Sequence, residues 1–249
     1  MRKAAAVFLA AFLLTGSFSA AEGMISIQLV QDGTQSGTEG VSVDGNTVTI
    51  SRPGDYLISG TLEQGELRIE NRESGKVTLY LNGVSVHNEN GPAVRIVECS
   101  PRAVISLVEG SANFLSDGAS LILETEDEPD GVIFSRSDLT IEGAGSMEIK
   151  AGAMNGIVSK DDIRIEGGKL SIDAPNHGIK GKDSVEISGG EISIRAGKDG
   201  IKSTNKKDGD RGFLEITGGR ISIVCGDDPL GFITSCHITG GEISIKKEE

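Results

Sequence analysis

Two groups of oxygen-bearing side chains near the end of the chain have the composition that a calcium site requires. They are Asp199, Asn205, Asp208 and Asp210, and the adjacent pair Asp227 and Asp228. Calcium binds about six to eight oxygen ligands, which carboxylates and amides on a loop can supply. Asp208 and Asp210 do not belong to an EF-hand, because no Glu follows at the required position. These six residues are therefore candidate calcium ligands, and the alternative for each group is a solvated acidic loop.

A second set of polar residues could contact sugar hydroxyl groups. Lys180 and Lys202 occupy equivalent positions in adjacent copies of a repeat, which predicts a short positive stripe in an acidic protein. Ser171, Ser193 and Ser222 form a regular outward row that could bind carbohydrate, although plain solvent exposure would explain the same row. The chain has no Trp and only 2 Tyr, so stacking of sugar rings on aromatic side chains is not expected. We expect polar contacts or a bridging calcium ion instead.

The sequence offers no catalytic constellation. Its three histidines, His87, His177 and His237, are isolated from one another, and no Ser/His/Asp, Cys/His or zinc-ligand spacing is present. Paired carboxylates of the kind used for glycoside hydrolysis stay open, because a repetitive fold can bring distant residues together. We name no catalytic residue, and the sequence favours a non-catalytic protein while leaving an enzyme as an alternative.

A repeat of about 22 residues, a length typical of solenoid proteins, must position all of these side chains. Paired glycines recur at 167–168, 189–190, 218–219 and 240–241, and the middle interval is longer than the other two because it contains an insertion at 205–212. Hydrophobicity alternates with period two around each pair, which is typical of strands with one buried face. The rows so aligned are Leu139, Ile163, Val185, Leu214 and Cys236; Met147, Leu170, Ile192, Ile221 and Ile243; and Val132, Ile157, Ile179, Ile201 and Phe232.

Three short strands in each coil of about 22 residues predict an all-β fold, a right-handed parallel β-helix. A leucine-rich-repeat horseshoe is the alternative, but no copy shows a helical period. We expect a single domain over residues 22–249, with irregular coils and a cap over 22–130 and regular coils over 131–249.

Residues 1–21 have a basic start, an apolar stretch and small residues at the end, which predict a signal peptide. The mature protein should be secreted, to the extracellular space or a periplasm; a membrane anchor is the alternative, although the apolar stretch is short for one. The net charge of −13 argues against nucleic acid and anionic membranes as partners. Cys225 and Cys236 stand in apolar rows and are expected to be buried thiols, with a disulfide between them as the alternative.

Several motifs resemble those of a family of secreted carbohydrate-binding proteins. They are GVSV (83–86), PAV (92–94), EGSANFLSD (109–117), SDLTIEG (137–143), NGIVSKDD (155–162), HGIKGKDS (177–184) and AGKDGIKS (196–203). The resemblance covers about residues 40–246. It implies a right-handed parallel β-helix similar in shape to pectate lyases, and an association with calcium and with cellulose or polygalacturonate. In that family an acidic pair precedes each Gly-Ile turn, whereas here only Asp227 and Asp228 keep such a pair.

The sequence therefore predicts a secreted, non-catalytic protein that binds a plant cell-wall type of polysaccharide, with calcium as a candidate cofactor. One alternative is a polysaccharide lyase or hydrolase on the same β-helix. Another is a structural, adhesin-like solenoid at the cell surface. The expected partner is a polysaccharide, with no nucleic acid and no membrane after signal cleavage, and the oligomeric state stays open.

Overall fold

The computed structural model describes residues 6–8, 23–31, 38–119 and 128–247, and these residues form strands and connecting turns without a helix. Within these ranges no segment is a helix long and apolar enough to cross a membrane. The strands are β1 (Ala6–Phe8), β2 (Ile25–Val30), β3 (Val41–Asp44), β4 (Thr47–Ile50), β5 (Gly54–Leu62), β6 (Glu66–Ser74), β7 (Val77–Asn88), β8 (Val94–Ser100), β9 (Ala103–Leu107), β10 (Ala112–Asp117), β11 (Gly131–Ser135), β12 (Leu139–Gly143), β13 (Ser146–Lys150), β14 (Asn155–Ser159), β15 (Asp162–Ile165), β16 (Lys169–Ala174), β17 (Ile179–Gly181), β18 (Ser184–Ile187), β19 (Glu191–Ala196), β20 (Ile201–Ser203), β21 (Phe213–Ile216), β22 (Arg220–Cys225), β23 (Leu230–Gly231), β24 (Cys236–Ile238) and β25 (Glu242–Lys247).

Most strands pair in parallel and form three ribbons. Ribbon 1 contains β9, β12, β15, β18, β21 and β24, and ribbon 2 contains β10, β13, β16, β19, β22 and β25. The longer strands β5 and β7 run through both ribbons and join them into one sheet. Ribbon 3 is a separate sheet that contains β4, β6, β8, β11, β14, β17, β20 and β23, with β3 antiparallel at its edge.

From β9 onward the chain passes through ribbons 1, 2 and 3 in fixed order, and we call one such passage a circuit. Each return to a ribbon places a new strand parallel to the last, about 4.8 Å away. This register confirms two of the rows predicted from the sequence. Leu139, Ile163, Val185, Leu214 and Cys236 are paired in ribbon 1. Met147, Leu170, Ile192, Ile221 and Ile243 are paired in ribbon 2.

The third predicted row is wrong at both ends. Ile133 pairs with Ile157, and Leu230 pairs with Ile201, so these two residues take the places predicted for Val132 and Phe232. The prediction aligned Gly131 and Gly231 with the glycines of the other copies, but Gly131 pairs with Asn155 and Gly231 pairs with Lys202. Phe232 consequently lies outside the row and is largely exposed.

The core lies between the ribbons and is built from the inward-facing rows. Isoleucine, leucine and valine occupy nearly all of its positions, and almost all of them are fully buried. Each such side chain contributes roughly 1.5–3 kcal/mol when it leaves water. Cys225 pairs with Ala196 at the end of one row and is buried, while Cys236 is half-buried, and all three cysteines are free thiols.

Candidate functional site

A ladder of polar side chains builds the corner where the chain enters ribbon 3. Asn155 Oδ1 accepts a hydrogen bond from the backbone N–H of His177 at 3.0 Å. The Nδ1 atom of His177 accepts one from the backbone N–H of Asp199 at 3.2 Å. Asp199 in turn accepts the N–H of Asp228 at 3.1 Å. Each side chain thereby satisfies a donor of the following circuit, which a buried corner requires. The ladder therefore fixes where ribbon 3 begins in successive circuits.

Two carboxylates at this corner hold the predicted lysines in place. Lys180 Nζ lies 2.7 Å from Asp130 Oδ2, and Lys202 Nζ lies 2.5 Å from Asp199 Oδ2. Both aspartates are buried, whereas each lysine side chain is about one third exposed or less. Since Lys180 and Lys202 are paired in adjacent strands, their ammonium groups form a stripe on the outer face of ribbon 3, as the sequence predicts.

These lysines belong to a hollow of about 510 Å³, which we call the lysine hollow. Its lining is Asp130, Val158, Ser159, Lys160, Lys180, Lys182, Lys202, Thr204, Lys206 and Ile233. Five of these residues are cationic and one is anionic. Within the described parts of the chain, Lys182 and Lys206 make no ion pair. The hollow is therefore locally positive in a chain whose net charge is −13.

His177 lies beneath this positive surface. Burial lowers the pKa of its imidazole, and the neighbouring Lys202 and Lys180 lower it further, while Asp199 acts in the opposite direction. The hydrogen bond that Nδ1 accepts fits a neutral ring. His177 is thus a neutral part of the corner ladder at neutral pH, and it adds no positive charge to the lysine hollow.

The predicted serine row lies elsewhere, on the outer face of ribbon 2. Ser171, Ser193 and Ser222 are aligned in β16, β19 and β22. Ser171 and Ser193 line a second hollow of about 400 Å³, together with charged residues of both signs. The structure therefore separates the predicted sugar-binding residues into two surfaces on different ribbons.

The six predicted calcium ligands fall into two local groups. Asp199 Oδ1 accepts a hydrogen bond from the Asp228 N–H, and its Oδ2 is paired with Lys202. Asn205 is buried, and its oxygen accepts the N–H groups of Lys207 and Asp208. The side-chain oxygens of both residues are therefore engaged by the protein itself in this arrangement.

The other four predicted calcium ligands are exposed. They are Asp208, Asp210, Asp227 and Asp228. Asp208 also lies 3.5 Å from Arg211 and accepts a hydrogen bond from the Asp210 N–H at 3.3 Å.

A third acidic group, which was not predicted as a site from the sequence, lies at the corner between ribbons 3 and 1. Oxygen atoms of Asp138, Asp161 and Asp162 lie within 4.8 Å of one another, the one group of three candidate metal ligands in the described residues that does so. Burial raises the pKa of Asp161 to about 6, and the charges of Asp138, Asp183 and Asp162 raise it as well.

Two arginines partly neutralise this acidic corner. Arg164 lies 3.8 Å from both Asp138 and Asp162. Arg211, from the insertion, contacts Asp183 and lies 3.5 Å from Asp161. Carboxylate oxygens are the type of ligand that calcium prefers. In this corner, however, the guanidinium groups of the two arginines already lie beside the carboxylates.

A hydrogen-bonded Ser–His–Glu chain joins β7 and β10. His87 Nδ1 lies 2.9 Å from Ser116 Oγ, and His87 Nε2 lies 3.3 Å from Glu89 Oε2. A nucleophile must be reachable by substrate, whereas Ser116 is only 8 % exposed. These three residues are of the types found in a hydrolase triad, but Ser116 is too buried for a substrate to reach its hydroxyl group.

Comparison with known proteins identifies the family. The family model described as "Carbohydrate-binding domain-containing protein" matches residues 44–249. The chain belongs to this carbohydrate-binding family. A protein of the same description from Acetivibrio thermocellus is 32 % identical over 138 residues, which are 55 % of this chain and 48 % of that relative, so the match spans about half the length of the relative.

A solved structure resembles the fold of this carbohydrate-binding domain. It is the polysaccharide lyase-like protein from C. thermocellum in a gadolinium derivative, with a TM-score of 0.76 and 30 % identity. The match covers 92 % of this chain and 96 % of that one. The all-β architecture with parallel strands is thus shared with a polysaccharide lyase-like protein.

The sequence could have revealed more of the lysine hollow in this carbohydrate-binding domain than we predicted. Lys160 precedes Lys182 by the same interval that separates Lys180 from Lys202, so the repeat alone places a second lysine column beside the first. Asp130 is different, because it lies 50 residues from its partner Lys180 and outside the regular interval. No sequence signal would have joined these two residues.

Proposed function

We propose that this chain is a secreted, non-catalytic protein that binds an acidic polysaccharide of the plant cell-wall type in the lysine hollow. The observation that carries the proposal is a hollow lined by five lysines in an otherwise acidic protein, where Asp130 and Asp199 are paired with two lysines of the lining. A cleft lined by charges of one sign focuses the electrostatic field and raises the local concentration of a ligand of the opposite charge. The membership in a carbohydrate-binding family supports a sugar as the ligand.

The chemistry of the lining favours a uronate over a neutral sugar. Lysine ammonium groups form charge-assisted hydrogen bonds with carboxylates, and these are stronger than bonds between neutral groups. Val158 and Ile233 add apolar surface that the C–H face of a sugar ring can cover. Lys180 and Lys202 come from adjacent strands, so a chain of uronates could contact both.

Binding is tested with polygalacturonate and, for comparison, neutral cellulose oligosaccharides in isothermal titration calorimetry. The best variant is the pair Lys182→Gln and Lys206→Gln, because neither lysine has an ion pair in the described parts of the chain that its loss would break. Losing two charge-assisted contacts of about 1 kcal/mol each should weaken binding by roughly tenfold to thirtyfold. Lys207→Gln is the matched control, since Lys207 is exposed nearby but does not line the hollow.

Each outcome has a consequence. Failure of the wild-type protein to bind any polysaccharide would reject the proposal and favour a structural, adhesin-like solenoid. Equal affinity of the double variant and the wild type would reject the lysine hollow as the site. Appearance of unsaturated uronate absorbance during the titration would show that the protein is a lyase rather than a non-catalytic binder.

We also propose calcium as a cofactor, with the exposed residues Asp208, Asp210, Asp227 and Asp228 as its candidate ligands. Calcium supplies charge that can bridge protein carboxylates to uronate carboxylates. A native-state ligand raises the melting temperature. Calcium should therefore raise the melting temperature of the wild type, and a chelator should reverse the increase.

Three variants distinguish the possible places of this ion. If the exposed ligands hold calcium, the shift in melting temperature should be lost with Asp227→Asn plus Asp228→Asn, or with Asp208→Asn plus Asp210→Asn. Loss with Asp161→Asn alone would place calcium at the acidic corner instead. An unchanged melting temperature with and without calcium would reject the cofactor.

Two further expectations accompany the proposed function. The fixed order of the ribbons and the buried rows between them support a closed, right-handed parallel β-helix, in which one circuit is one coil. Secretion rests on the predicted signal peptide at residues 1–21, of which the structure describes only β1. Mass spectrometry of the exported protein should find a chain without β1; an exported chain that retained it would contradict the cleavage.

A further inference from the structure

Among the residues that the structure describes, the strands at the C-terminal end of the three ribbons have a strand neighbour on one side only. They are β23, β24 and β25. Four large apolar side chains at this end are exposed: Phe232, Ile233, Ile238 and Ile245. Ile238 and Ile245 continue rows that are fully buried in β21 and β22, yet they are 51 % and 52 % exposed. Free strand edges beside apolar surface are suited to pairing with another strand.

The opposite end of ribbon 3 does not offer a matching edge. There the ribbon ends in β3, which pairs with β4 in the antiparallel direction. Stacking a C-terminal end onto an N-terminal end therefore cannot continue ribbon 3 as a parallel sheet. A two-fold arrangement of two C-terminal ends requires only one kind of surface and closes as a dimer.

We propose that two copies of this chain associate through β25, which pairs antiparallel with the same strand of a second copy about a two-fold axis at Ser244. In this register Ile243 lies opposite Ile245 of the second copy, on the inward face. Glu242 lies opposite Lys246 of the second copy, on the outward face. The strand is therefore complementary to itself in both hydrophobicity and charge.

The outward columns of ribbon 2 support this register. One column, Lys169, Glu191, Arg220 and Glu242, alternates in sign from strand to strand. Lys169 lies 3.7 Å from Glu191, and Arg220 lies 2.9 Å from Glu242. Lys246 of the second copy would occupy the next place in this column and continue the alternation.

The serine and isoleucine columns of β25 are continued as well. Ser171, Ser193, Ser222 and Ser244 form the central outward column, and Ser244 of the second copy extends it. The inward columns that end in Ile243 and Ile245 each gain another isoleucine. This pairing would cover apolar surface that is exposed in the single chain. No other pairing of β25 with itself keeps serine opposite serine, isoleucine opposite isoleucine and glutamate opposite lysine.

Charge reversal provides the decisive test by sedimentation velocity over the micromolar range. The wild type should be a dimer, and Glu242→Lys and Lys246→Glu should each be monomeric, because each variant places like charges opposite one another. An equimolar mixture of the two variants should form a dimer again, because each glutamate then faces a lysine. Lys207→Glu is the control for net charge and should remain dimeric, since Lys207 is an exposed residue of the insertion and not part of β25.

A cysteine at the proposed axis provides a second test. Ser244→Cys should form a disulfide-linked dimer under mild oxidation, because the two side chains face each other across the axis. Ser222→Cys is the matched control; it lies in the same column one strand earlier and should not cross-link. A monomeric wild type, or a variant mixture that stays monomeric, would overturn the proposal. Circular dichroism of each variant ensures that loss of the dimer is not loss of the fold.

Discussion

Asp117, the last residue of β10, has one carboxylate oxygen that is buried without a hydrogen bond to any described residue. Its Oδ1 accepts the N–H of Gly152 at 2.6 Å, while Oδ2 is buried and has no hydrogen-bond partner in the described part of the chain. Burial raises the pKa of this carboxyl to about 6; the Gly152 N–H and His87 act against the rise, and Glu89 adds to it. The charged form of Asp117 therefore costs the folded protein stability at neutral pH.

Asp117→Asn should remove this cost. Between the ordinary aspartate pKa of about 3.9 and a pKa of about 6, the folded wild type holds a proton that the unfolded chain has lost. The free energy of unfolding of the wild type therefore falls as pH rises through this window and then becomes constant. The variant should be more stable than the wild type by about 1 kcal/mol at neutral pH, and equally stable below about pH 4. Urea unfolding across this pH range measures the difference, and a constant difference would contradict the assignment.

At the scale of elements, the corner before each ribbon 3 strand depends on a close approach of backbone to side chain. A Cβ atom at Gly178 would contact the Ile194 side chain and lie 2.7 Å from the carbonyl oxygen of Gly200. The glycine is thus needed for space rather than for a special backbone angle. The corner ladder of Asn155, His177 and Asp199 passes directly beside it.

Gly178→Ala should lower the free energy of unfolding by about 2 kcal/mol, because the overpacked corner must shift. Gly209→Ala is the matched control. Gly209 lies in the insertion, where an added Cβ atom would meet no other atom within 4 Å. Its substitution should change stability by less than about 0.5 kcal/mol or raise it slightly. Chemical denaturation of both variants compares them, and equal stabilities would show that the corner can yield without cost.

Some of the contacts between strands can be predicted from the sequence, and others cannot. Rows such as Leu139 with Ile163 follow from hydrophobic alternation and the repeat interval alone, since both are local properties of the chain. The third row is wrong at Phe232, because a glycine marks a turn but not the first paired residue of the next strand. The pairing of Asp130 with Lys180 joins residues 50 positions apart across an irregular part of the chain, so no periodic pattern contains it.

At the scale of the whole molecule, stability should be distributed along the stack. Each strand contacts mainly the equivalent strands of the preceding and following circuits, as in other solenoid proteins. The charge is distributed differently, since a net charge of −13 coexists with the positive lysine hollow. Folding is thus shared among circuits, whereas the proposed binding surface belongs to a few of them.

A chain that ends at Thr234 should test this distribution. It lacks β24 and β25 but keeps every earlier circuit, so it should fold with a lower melting temperature and unchanged β-strand content. It should also be monomeric, because the newly exposed β22 places Arg220 opposite Val224 rather than opposite a glutamate. Circular dichroism and sedimentation velocity measure both properties. An unfolded truncated chain would show that the stack folds only as a unit.

The insertion before β21 has a mechanical consequence. Arg211 extends from it to Asp183 and Asp161, which belong to two earlier circuits. A force that pulls on the C-terminus would act on the last strand first, so the strands should detach one after another from that end. Arg211 links its own circuit to earlier ones, so these circuits must resist the force together before any of them can detach.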